Sequence, residues 1–280
     1  MTKPTYAHPI GGMPPQSQLM GGRAVFTEAY ALIPHGVQRE IVTSFLPHWE
    51  GAKFWVLARP LSGFAETFSQ YAAEVASGGG TTRPEAEPGV QSALFLTHGA
   101  ALLQTGGESH LLVPGSFVWI PPGQPWELKS EGEDTARFQW FRKRYIAVEG
   151  IEVPAFFHLN DQDLPPEPMP YEDTGWFTTR FMPPEALGFD MHITVVTLMP
   201  GTSIPFLETH VMEHGLYVLQ GKGVYQLNRD RVEVEAGDFM WLRAFCPQAC
   251  YAGGTEPFRY LLYKDVNRHA ALPRVPMIET

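Results

Sequence analysis

A chain of 280 residues is long enough for one large domain or two of medium size, each able to bury a core. Its formal net charge of -10 argues against non-specific nucleic-acid binding, and it has no apolar run of the roughly 18 residues that a membrane span requires. The 27 Gly and 26 Pro residues indicate many turns between short strands, so the composition favours an all-β protein.

The first twenty residues carry several Pro and Gly and no continuous apolar core, so they do not resemble an export signal and we expect a cytoplasmic protein. The only two cysteines, Cys246 and Cys250, lie four residues apart. On one strand they would share a face but lie too far apart to bond to each other. We therefore expect free thiols that pack as small residues.

Apolar runs bounded by Gly, Pro, Asn or Asp predict strands through the first half of the chain. The segment TFSQYAAEVASGG at 67–79 is compatible with a helix or a strand, and its place in the repeat described below favours a strand. The clearer runs are SALFLTHG at 92–99, HLLVPGSFVWIPPG at 110–123 and ARFQWFRKRY at 136–145.

A Pro-rich segment, NDQDLPPEPMPYEDTG at 160–175, is predicted to connect the two halves because it cannot form a packed core. Beyond it the strand pattern returns, and helical patterning is sparse. The runs are MHITVVTLMPG at 191–201, GLYVLQGKG at 215–223, DRVEVEAGDFMWL at 230–242 and FRYLLYKDV at 258–266.

The two halves are copies of one unit. An offset of 122 residues places GSFVWIPPGQPWEL from Gly115 over GDFMWLRAFCPQAC from Gly237 without a gap. We therefore predict an all-β fold of two tandem barrels with little helix, residues 1–160 and 161–280, whose mouths can hold a ligand.

The segment FLETHVMEHGLYVLQGKG at 206–223 carries the strongest candidate for a metal site. Glu208, His210 and His214 lie at even spacing, so an extended chain points all three to one face, and Gln248 would approach from a neighbouring strand. Two imidazoles, a carboxylate and an amide suit a divalent ion such as Mn²⁺, and by ligand type Fe²⁺, Zn²⁺ and Ni²⁺ are also compatible.

These segments resemble the paired motifs of the cupin family, H-x-H-x3-E and G-D-x6-G-x-P-H, in which three His and one Glu hold a divalent metal. Here Glu208 stands in place of the first His, His214 in place of the Glu and Gln248 in place of the last His. Phe245 replaces a motif Gly. The resemblance implies a bicupin of two jelly-roll barrels. Glu213, of opposite parity to the ligands, is expected to face away and take no part.

The amino-terminal copy lacks these ligands. At the offset of 122 the four positions become Ala86, Pro88, Ser92 and Trp126, none of which is a strong ligand. We therefore predict a metal-free amino-terminal barrel, and one metal per chain in the carboxyl-terminal barrel.

The carboxyl-terminal half resembles the (S)-ureidoglycine aminohydrolase family through LGFDMHITVVTLMPGTSIPFLETHVMEHGLYVLQGKGVYQLN, AGDFMWLRAFCPQACYAGG and FRYLLYKDVNR. The amino-terminal half resembles it more weakly, through IPPG and FRKRYIAVEG. The resemblance implies release of ammonia from (S)-ureidoglycine, a step of purine breakdown, with Mn²⁺ as the metal. It implies metal ligands Glu208, His210, His214 and Gln248, and substrate-binding residues Tyr225, Tyr260 and Lys264.

These residues suit a substrate that carries a carboxylate, a ureido group and an amine on one carbon. Lys264 can pair with the carboxylate and shares parity with Tyr260 on one strand. Glu208, a carboxylate near the amine, is the predicted proton carrier. Direct displacement of the amine, and loss of ammonia before water adds to an imine, both use this set.

Two other functions stay open. A different metal cupin, such as a dioxygenase or an oxalate-type enzyme, usually keeps three His and one Glu, from which Gln248 departs. A non-catalytic bicupin that binds a small molecule would not need Tyr225, Tyr260 or Lys264 for turnover. By analogy with other bicupins we expect a homo-oligomer that acts on a small molecule and binds neither nucleic acid nor membrane.

Overall fold

The computed structural model describes residues 6, 23–61, 63–170, 175–265 and 268. Most of the first twenty residues, and residues 171–174 of the predicted connection, therefore lie outside the description. In the first half the strands are β1 Val25–Phe26, β2 Tyr30–Ile33, β3 Glu50–Ala58, β4 Ser69–Thr81, β5 Val90–His98, β6 Ala100–Thr105, β7 Glu108–Leu112, β8 Ser116–Ile120, β9 Trp126–Glu131, β10 Ala136–Arg144 and β11 Phe157–Asn160.

In the second half the strands are β12 Glu167–Pro168, β13 Trp176–Arg180, β14 His192–Leu198, β15 His214–Gln220, β16 Lys222–Leu227, β17 Asp230–Glu235, β18 Phe239–Leu242, β19 Gln248–Ala252 and β20 Phe258–Lys264. Short 3-10 helices occupy His35–Val37, Glu40–Val42 and Asp161–Asp163. The all-β prediction is confirmed, and the ambiguous segment at 67–79 is a strand, β4, paired with β3 and β10. Within the described part of the chain, no helix is long and apolar enough to cross a membrane.

The described strands form three antiparallel sheets. The first half builds a nine-stranded sheet in the order β11-β8-β5-β10-β4-β9-β6-β7, with β3 added on β4. The second half contributes most of an eight-stranded sheet, β1-β2-β18-β15-β20-β14-β13-β12, and a three-stranded sheet, β17-β16-β19. The two halves thus repeat one pairing: β10 lies between β4 and β5, as β20 lies between β14 and β15.

The turns also repeat. Gly115 and Gly237, aligned by the offset of 122, have φ of 91° and 92°, and Gly99 and Gly221 have 68° and 77°. These angles lie in the left-handed region that glycine tolerates without a steric penalty. The internal repeat read from the sequence is therefore present in the backbone.

One segment departs from the predicted division at residue 160. Strands β1 and β2, at the start of the chain, belong to the sheet of the second half, where β2 pairs with β18 from Leu242↔Tyr30 to Phe239↔Ile33. Without β2, strand β18 would leave a row of unpaired backbone groups at a sheet edge, so the exchange covers that edge. The two barrels are joined by this exchange as well as by the connection after β11.

The buried side chains form three cores. One fills the amino-terminal barrel around Phe54, Trp126 and Trp140, and another fills part of the carboxyl-terminal barrel around Leu216 and Tyr225. The third and largest lies between the halves and includes aromatic residues of both, namely Phe95, Phe117, Trp119, Phe141, Phe181, Phe189, Tyr217, Phe239, Trp241 and Tyr263. The back of the carboxyl-terminal sheet therefore packs on the amino-terminal one.

Candidate metal centre and active site

The carboxyl-terminal barrel contains a cavity of about 650 Å³. Its walls come from β13, β14, β15, β19 and β20 together with the loop before β15. Six of the seven predicted site residues line it, namely Glu208, His210, His214, Gln248, Tyr260 and Lys264. The seventh, Tyr225, is not among the lining residues.

The two predicted His ligands and Gln248 converge. Nε2 of His210 lies 3.2 Å from Nε2 of His214 and 3.2 Å from Nε2 of Gln248. Nδ1 of His210 is buried and has no hydrogen-bond partner within the described part of the chain. A single hydrogen on Nε2 of His210 could serve only one of its two contacts, whereas a cation would accept the lone pairs of both imidazoles.

The ring of His214 is oriented by a hydrogen bond on the side away from the cavity. Its Nδ1 donates to the backbone carbonyl of Tyr263 at 3.3 Å, which leaves the lone pair on Nε2 toward the cavity. Burial lowers the pKa of His214 well below its ordinary value, and the neighbouring His210 and Lys264 lower it further. Burial, followed by Lys264, also lowers the pKa of His210. Both rings are thus held neutral, which is the form that ligates a metal.

Glu208 lies beside this group. Its backbone exchanges two hydrogen bonds of 2.9 Å with that of Gln248, which ties the ligand loop to β19. Burial raises the pKa of its carboxyl group, and Lys264 partly opposes that shift. Within the described residues, no three His, Cys, Asp or Glu side chains form a ready metal-binding cluster.

The donor set fits a divalent ion. Two neutral imidazoles with adjacent Nε2 atoms, an amide that can turn its oxygen toward the ion, and a nearby carboxylate make a mixed nitrogen and oxygen site. The two imidazole Nε2 atoms that face each other at 3.2 Å are a feature that such an ion would satisfy. Glu208, His210, His214 and Gln248 would hold it.

The register of the sheet places the predicted substrate residues next to these ligands. Lys264 on β20 is paired with His214 on β15, so the cation and the imidazole are neighbours on one face. Burial lowers the pKa of Lys264, and the charge of Glu208 opposes that shift. Tyr260, on the same face and only 3% exposed, also lines the cavity.

Tyr225 occupies a different place from the one its predicted role requires. It is 1% exposed in the core of the barrel, and its ring lies 5.9 Å from the ring of Tyr260 at an angle of 71°. Its hydroxyl group hydrogen-bonds with Tyr260 and Cys250. Tyr225 therefore supports Tyr260 from behind rather than facing the cavity.

Five polar residues of the cavity wall were not predicted from the sequence: Thr178, Arg180, His192, Thr194 and Arg268. His192 on β14 is paired with Lys264 on β20, so β14, β20 and β15 place His192, Lys264 and His214 in one row. Burial, then Lys264 and Arg180, lower the pKa of His192 to about 4. Predicting His192 at the cavity would have required knowing that β14 pairs with β20. Parity along a single strand does not identify the neighbouring strand.

Both cysteines are buried and free, as predicted, although Cys246 precedes β19 and only Cys250 lies on that strand. Burial raises the pKa of Cys250 to about 12, which keeps it a thiol. Glu213 does not line the cavity, in agreement with its parity. Its carboxylate is nonetheless fully engaged elsewhere, as described below.

Comparison with known proteins agrees with this architecture. Residues 194–263 match the family model of the cupin domain, and residues 94–160 match that of the AraC-like ligand binding domain. A structure of a protein from Pseudomonas aeruginosa, described as glyoxylate-induced, is 53% identical with a TM-score of 0.91 and covers 98% of this chain and 100% of that one. The structure of protein Ylba from Escherichia coli is 27% identical with a TM-score of 0.79, over 92% of this chain and 100% of that one.

Two curated relatives share one activity in their names. The (S)-ureidoglycine aminohydrolase of Escherichia coli is 29% identical over 256 residues, which are 90% of this chain and 95% of the relative. A protein of Oryza sativa subsp. japonica, named probable (S)-ureidoglycine aminohydrolase, is 30% identical over 247 residues, 88% of this chain and 76% of the relative. The prediction of two tandem cupin barrels is confirmed, and the chain belongs to the (S)-ureidoglycine aminohydrolase family of bicupins.

Proposed function

We propose that this chain is a Mn²⁺-dependent enzyme that hydrolyses (S)-ureidoglycine to (S)-ureidoglycolate and ammonia in purine catabolism. One observation carries the proposal: His210, His214 and Gln248 converge in a cavity that also presents Lys264, Tyr260 and Glu208. The names of its relatives supply the substrate.

The charges of the cavity suit an anionic substrate. Its wall carries three cationic side chains, Arg180, Lys264 and Arg268, and one carboxylate, Glu208. Arg180 is already paired with Glu167, and Arg268 donates to the carbonyl of Leu187 at 2.7 Å. Lys264 is therefore the residue we assign to the carboxylate of the substrate, where partial burial strengthens the attraction.

A divalent ion held by Glu208, His210, His214 and Gln248 would act as a Lewis acid toward the substrate and lower the pKa of a water molecule. We assign Mn²⁺ because the mixed nitrogen and oxygen donors suit it. The neutral imidazoles need not lose a proton before they bind it, so the site is ready at neutral pH.

The reaction breaks the bond between the central carbon and its amine nitrogen and forms a bond from that carbon to the oxygen of water. One proton of the water must leave, and the departing nitrogen must gain one. Glu208 suits this transfer because burial moves its pKa toward neutrality, where a group both accepts and donates protons efficiently. The same transfer serves direct displacement and the route through an imine.

Tyr260 would donate a hydrogen bond to the substrate, since burial raises its pKa well above the ordinary value and keeps the phenol protonated. Tyr225 would act through Tyr260 by fixing its hydroxyl group. This assignment differs from direct substrate contact by both tyrosines.

The direct test generates (S)-ureidoglycine from allantoate with an allantoate-hydrolysing enzyme and follows ammonia and the chirality of ureidoglycolate. We expect release well above the spontaneous rate with Mn²⁺, loss of that excess with a chelator, and a product of S configuration only. Release at the spontaneous rate by Mn²⁺-loaded protein would refute the proposal.

A further inference from the structure

Glu213 lies between two residues that line the cavity, Met212 and His214, but its own side chain points away from it. The residue is 5% exposed. Its carboxylate accepts four hydrogen bonds, from the backbone N–H of Glu66 at 2.8 Å, the backbone N–H and hydroxyl of Thr67 at 3.0 and 2.6 Å, and Nε1 of Trp241 at 2.7 Å. All four lone-pair positions of a carboxylate are thus used.

Three of these donors come from the other half of the chain. Glu66 and Thr67 precede β4, a strand of the amino-terminal barrel, whereas Trp241 lies on β18 next to β15. The carboxylate therefore fastens the start of β15, whose first residue is His214, to the barrel that lacks the ligands.

The same segment supports His214 from its other side. The ring of Phe68 stacks on that of Tyr263 at 3.9 Å, and the hydroxyl groups of Thr67 and Tyr263 lie 3.3 Å apart. Tyr263 is the residue whose carbonyl accepts Nδ1 of His214. Two residues orient His214: Glu213, which precedes it, and Tyr263, whose carbonyl accepts its hydrogen bond. Both contact residues 66–68.

The contact leaves little space for adjustment. A Cβ added at Gly215, the residue after His214, would lie 2.5 Å from Oε1 of Gln70 and 2.8 Å from the ring of Phe68. The backbone N–H of Glu213 also donates to Asp265 at 2.7 Å, next to Lys264. Displacement of the 66–68 segment would therefore shift the strand ends that carry His214 and Lys264.

We propose that Glu213 is a positioning residue for His214, through which residues 66–68 of the amino-terminal barrel set the metal affinity of the carboxyl-terminal barrel. The inference rests on the proposed function only in that the site binds Mn²⁺. Loss of groups that orient a ligand typically weakens metal binding 10- to 100-fold, because the imidazole no longer presents its lone pair in one direction.

The experiment compares Mn²⁺ affinity with folding stability in the full-length chain. Mn²⁺ would be titrated calorimetrically and by electron paramagnetic resonance without substrate, and unfolding of the metal-free protein would be followed in urea. For Glu213→Gln we expect Mn²⁺ binding weakened roughly 10- to 100-fold and a changed resonance of the bound ion. Thr67→Val, which removes one donor, should weaken it by about threefold or more, and tests the proposal if Glu213→Gln does not fold.

Asp161→Asn is the matched control. Asp161 is buried and binds Arg259 at 2.6 Å, at the end of β20 remote from Lys264. This variant should lose stability but bind Mn²⁺ within about twofold of the unaltered chain, since it touches neither orienting group. Unchanged affinity in Glu213→Gln, or equal weakening in Asp161→Asn, would overturn the proposal. An unaltered chain that binds no Mn²⁺ would refute the metal assignment itself, a result distinct from either of these.

Discussion

The interiors of the two barrels are built on equivalent strands but filled in different ways. In the amino-terminal barrel Trp49 contacts Phe54, Trp126 and Trp140 with ring centroids between 5.0 and 6.5 Å apart. Trp126 occupies the position that Gln248 holds in the other barrel. The other barrel has a cavity of about 650 Å³, whose wall carries charged and polar residues beside apolar ones.

The cation on the central strand shows the same contrast. Arg142 binds both carboxylate oxygens of Glu85, at 2.5 and 2.7 Å, and the hydroxyl of Tyr71 at 3.1 Å. Burial lowers the pKa of its counterpart Lys264, and Glu208, the carboxylate that opposes this shift, is itself a cavity residue. One copy uses its cation inside the fold, and in the other the cation lines the cavity.

The difference shows how a duplicated barrel can divide stability and chemistry. Each fully buried aromatic side chain contributes about 1.5–3 kcal/mol to folding, whereas a buried polar group without a partner costs free energy. Among the described residues, the wall of the carboxyl-terminal cavity carries such groups in His192, Thr194 and His210. This barrel rests on its neighbour through the shared core and Glu213.

The largest effect is expected at Glu208, the proposed proton carrier, which has no counterpart in the amino-terminal barrel. Glu208→Gln keeps the size of the side chain but cannot carry a proton, so we expect kcat to fall roughly 10²- to 10⁴-fold at saturating Mn²⁺. The matched control is Glu87→Gln in the equivalent loop of the amino-terminal barrel, whose exposed pair with Arg144 should leave kcat within twofold. A Glu208→Gln variant that keeps kcat within threefold would remove Glu208 from the chemistry.

A second test replaces each of the two cations with Met in a separate variant. Lys264→Met should lower kcat/KM roughly 10- to 150-fold, the equivalent of about 1.5–3 kcal/mol, because the substrate carboxylate loses a charged partner. Arg142→Met should instead lower the free energy of unfolding by about 1.5–3 kcal/mol and leave kcat/KM of the folded protein unchanged. Steady-state kinetics and urea unfolding on both variants measure this crossover, and the reverse assignment would contradict it.

The pH dependence of stability sharpens the comparison further. His192 faces Lys264 across the sheet, whereas in the other barrel Ser69, which does not titrate in this range, faces Arg142. The pKa of His192 is about 4 in the folded protein and about 6.5 when unfolded, so the unfolded chain binds a proton first as the pH falls. The contribution of His192 to the free energy of unfolding is complete above pH 6.5. About 3 kcal/mol of it is lost as the pH falls from 6.5 to 4.

The measurement is the free energy of unfolding in urea at pH 7 and pH 4.5. His192→Asn should reduce the acid-induced loss relative to the unaltered chain, because Asn carries no titrating proton. An identical loss in both proteins would show that other groups account for the acid sensitivity.

The smallest effect concerns a turn. Phe245 has φ of 66°, while its counterpart Gly123 has 78°, so a bulky residue holds a conformation that glycine adopts freely. Phe245→Gly should raise the melting temperature by about 1–3 °C, equivalent to about 0.5–1 kcal/mol. Asn228→Gly, at φ of 55°, is the control and should change it less, since Asn tolerates this region. A lower melting temperature in Phe245→Gly would contradict the interpretation.

Local pattern was sufficient to predict much of the fold and of the cavity. Alternating apolar residues and the offset of 122 indicated the strands and the duplication, and parity placed His210, His214, Tyr260 and Lys264 where they line one cavity. Parity also predicted that the side chain of Glu213 faces away from the cavity. The strands and the facing of side chains depend only on residues a few positions apart, and the duplication depends on comparing the sequence with itself.

The features that could not be predicted depend on pairing between distant strands. Three such contacts join residues more than 70 positions apart. They are the pairing of β2 with β18, the pairing of His192 with Lys264, and the hydrogen bonds from Thr67 to Glu213. The family resemblance implied that Tyr225 binds the substrate, yet on β16 it lies in the core behind Tyr260.

The central claim is that one barrel holds the metal and the other does not. Its most direct test is the amount of Mn²⁺ bound per chain, measured by elemental analysis after saturation and desalting. The account predicts one Mn²⁺ per chain in the unaltered protein, close to none in His210→Ala/His214→Ala, and one in Ser92→Ala, the counterpart of His214. Two ions per chain, or a full ion retained by the double variant, would contradict it.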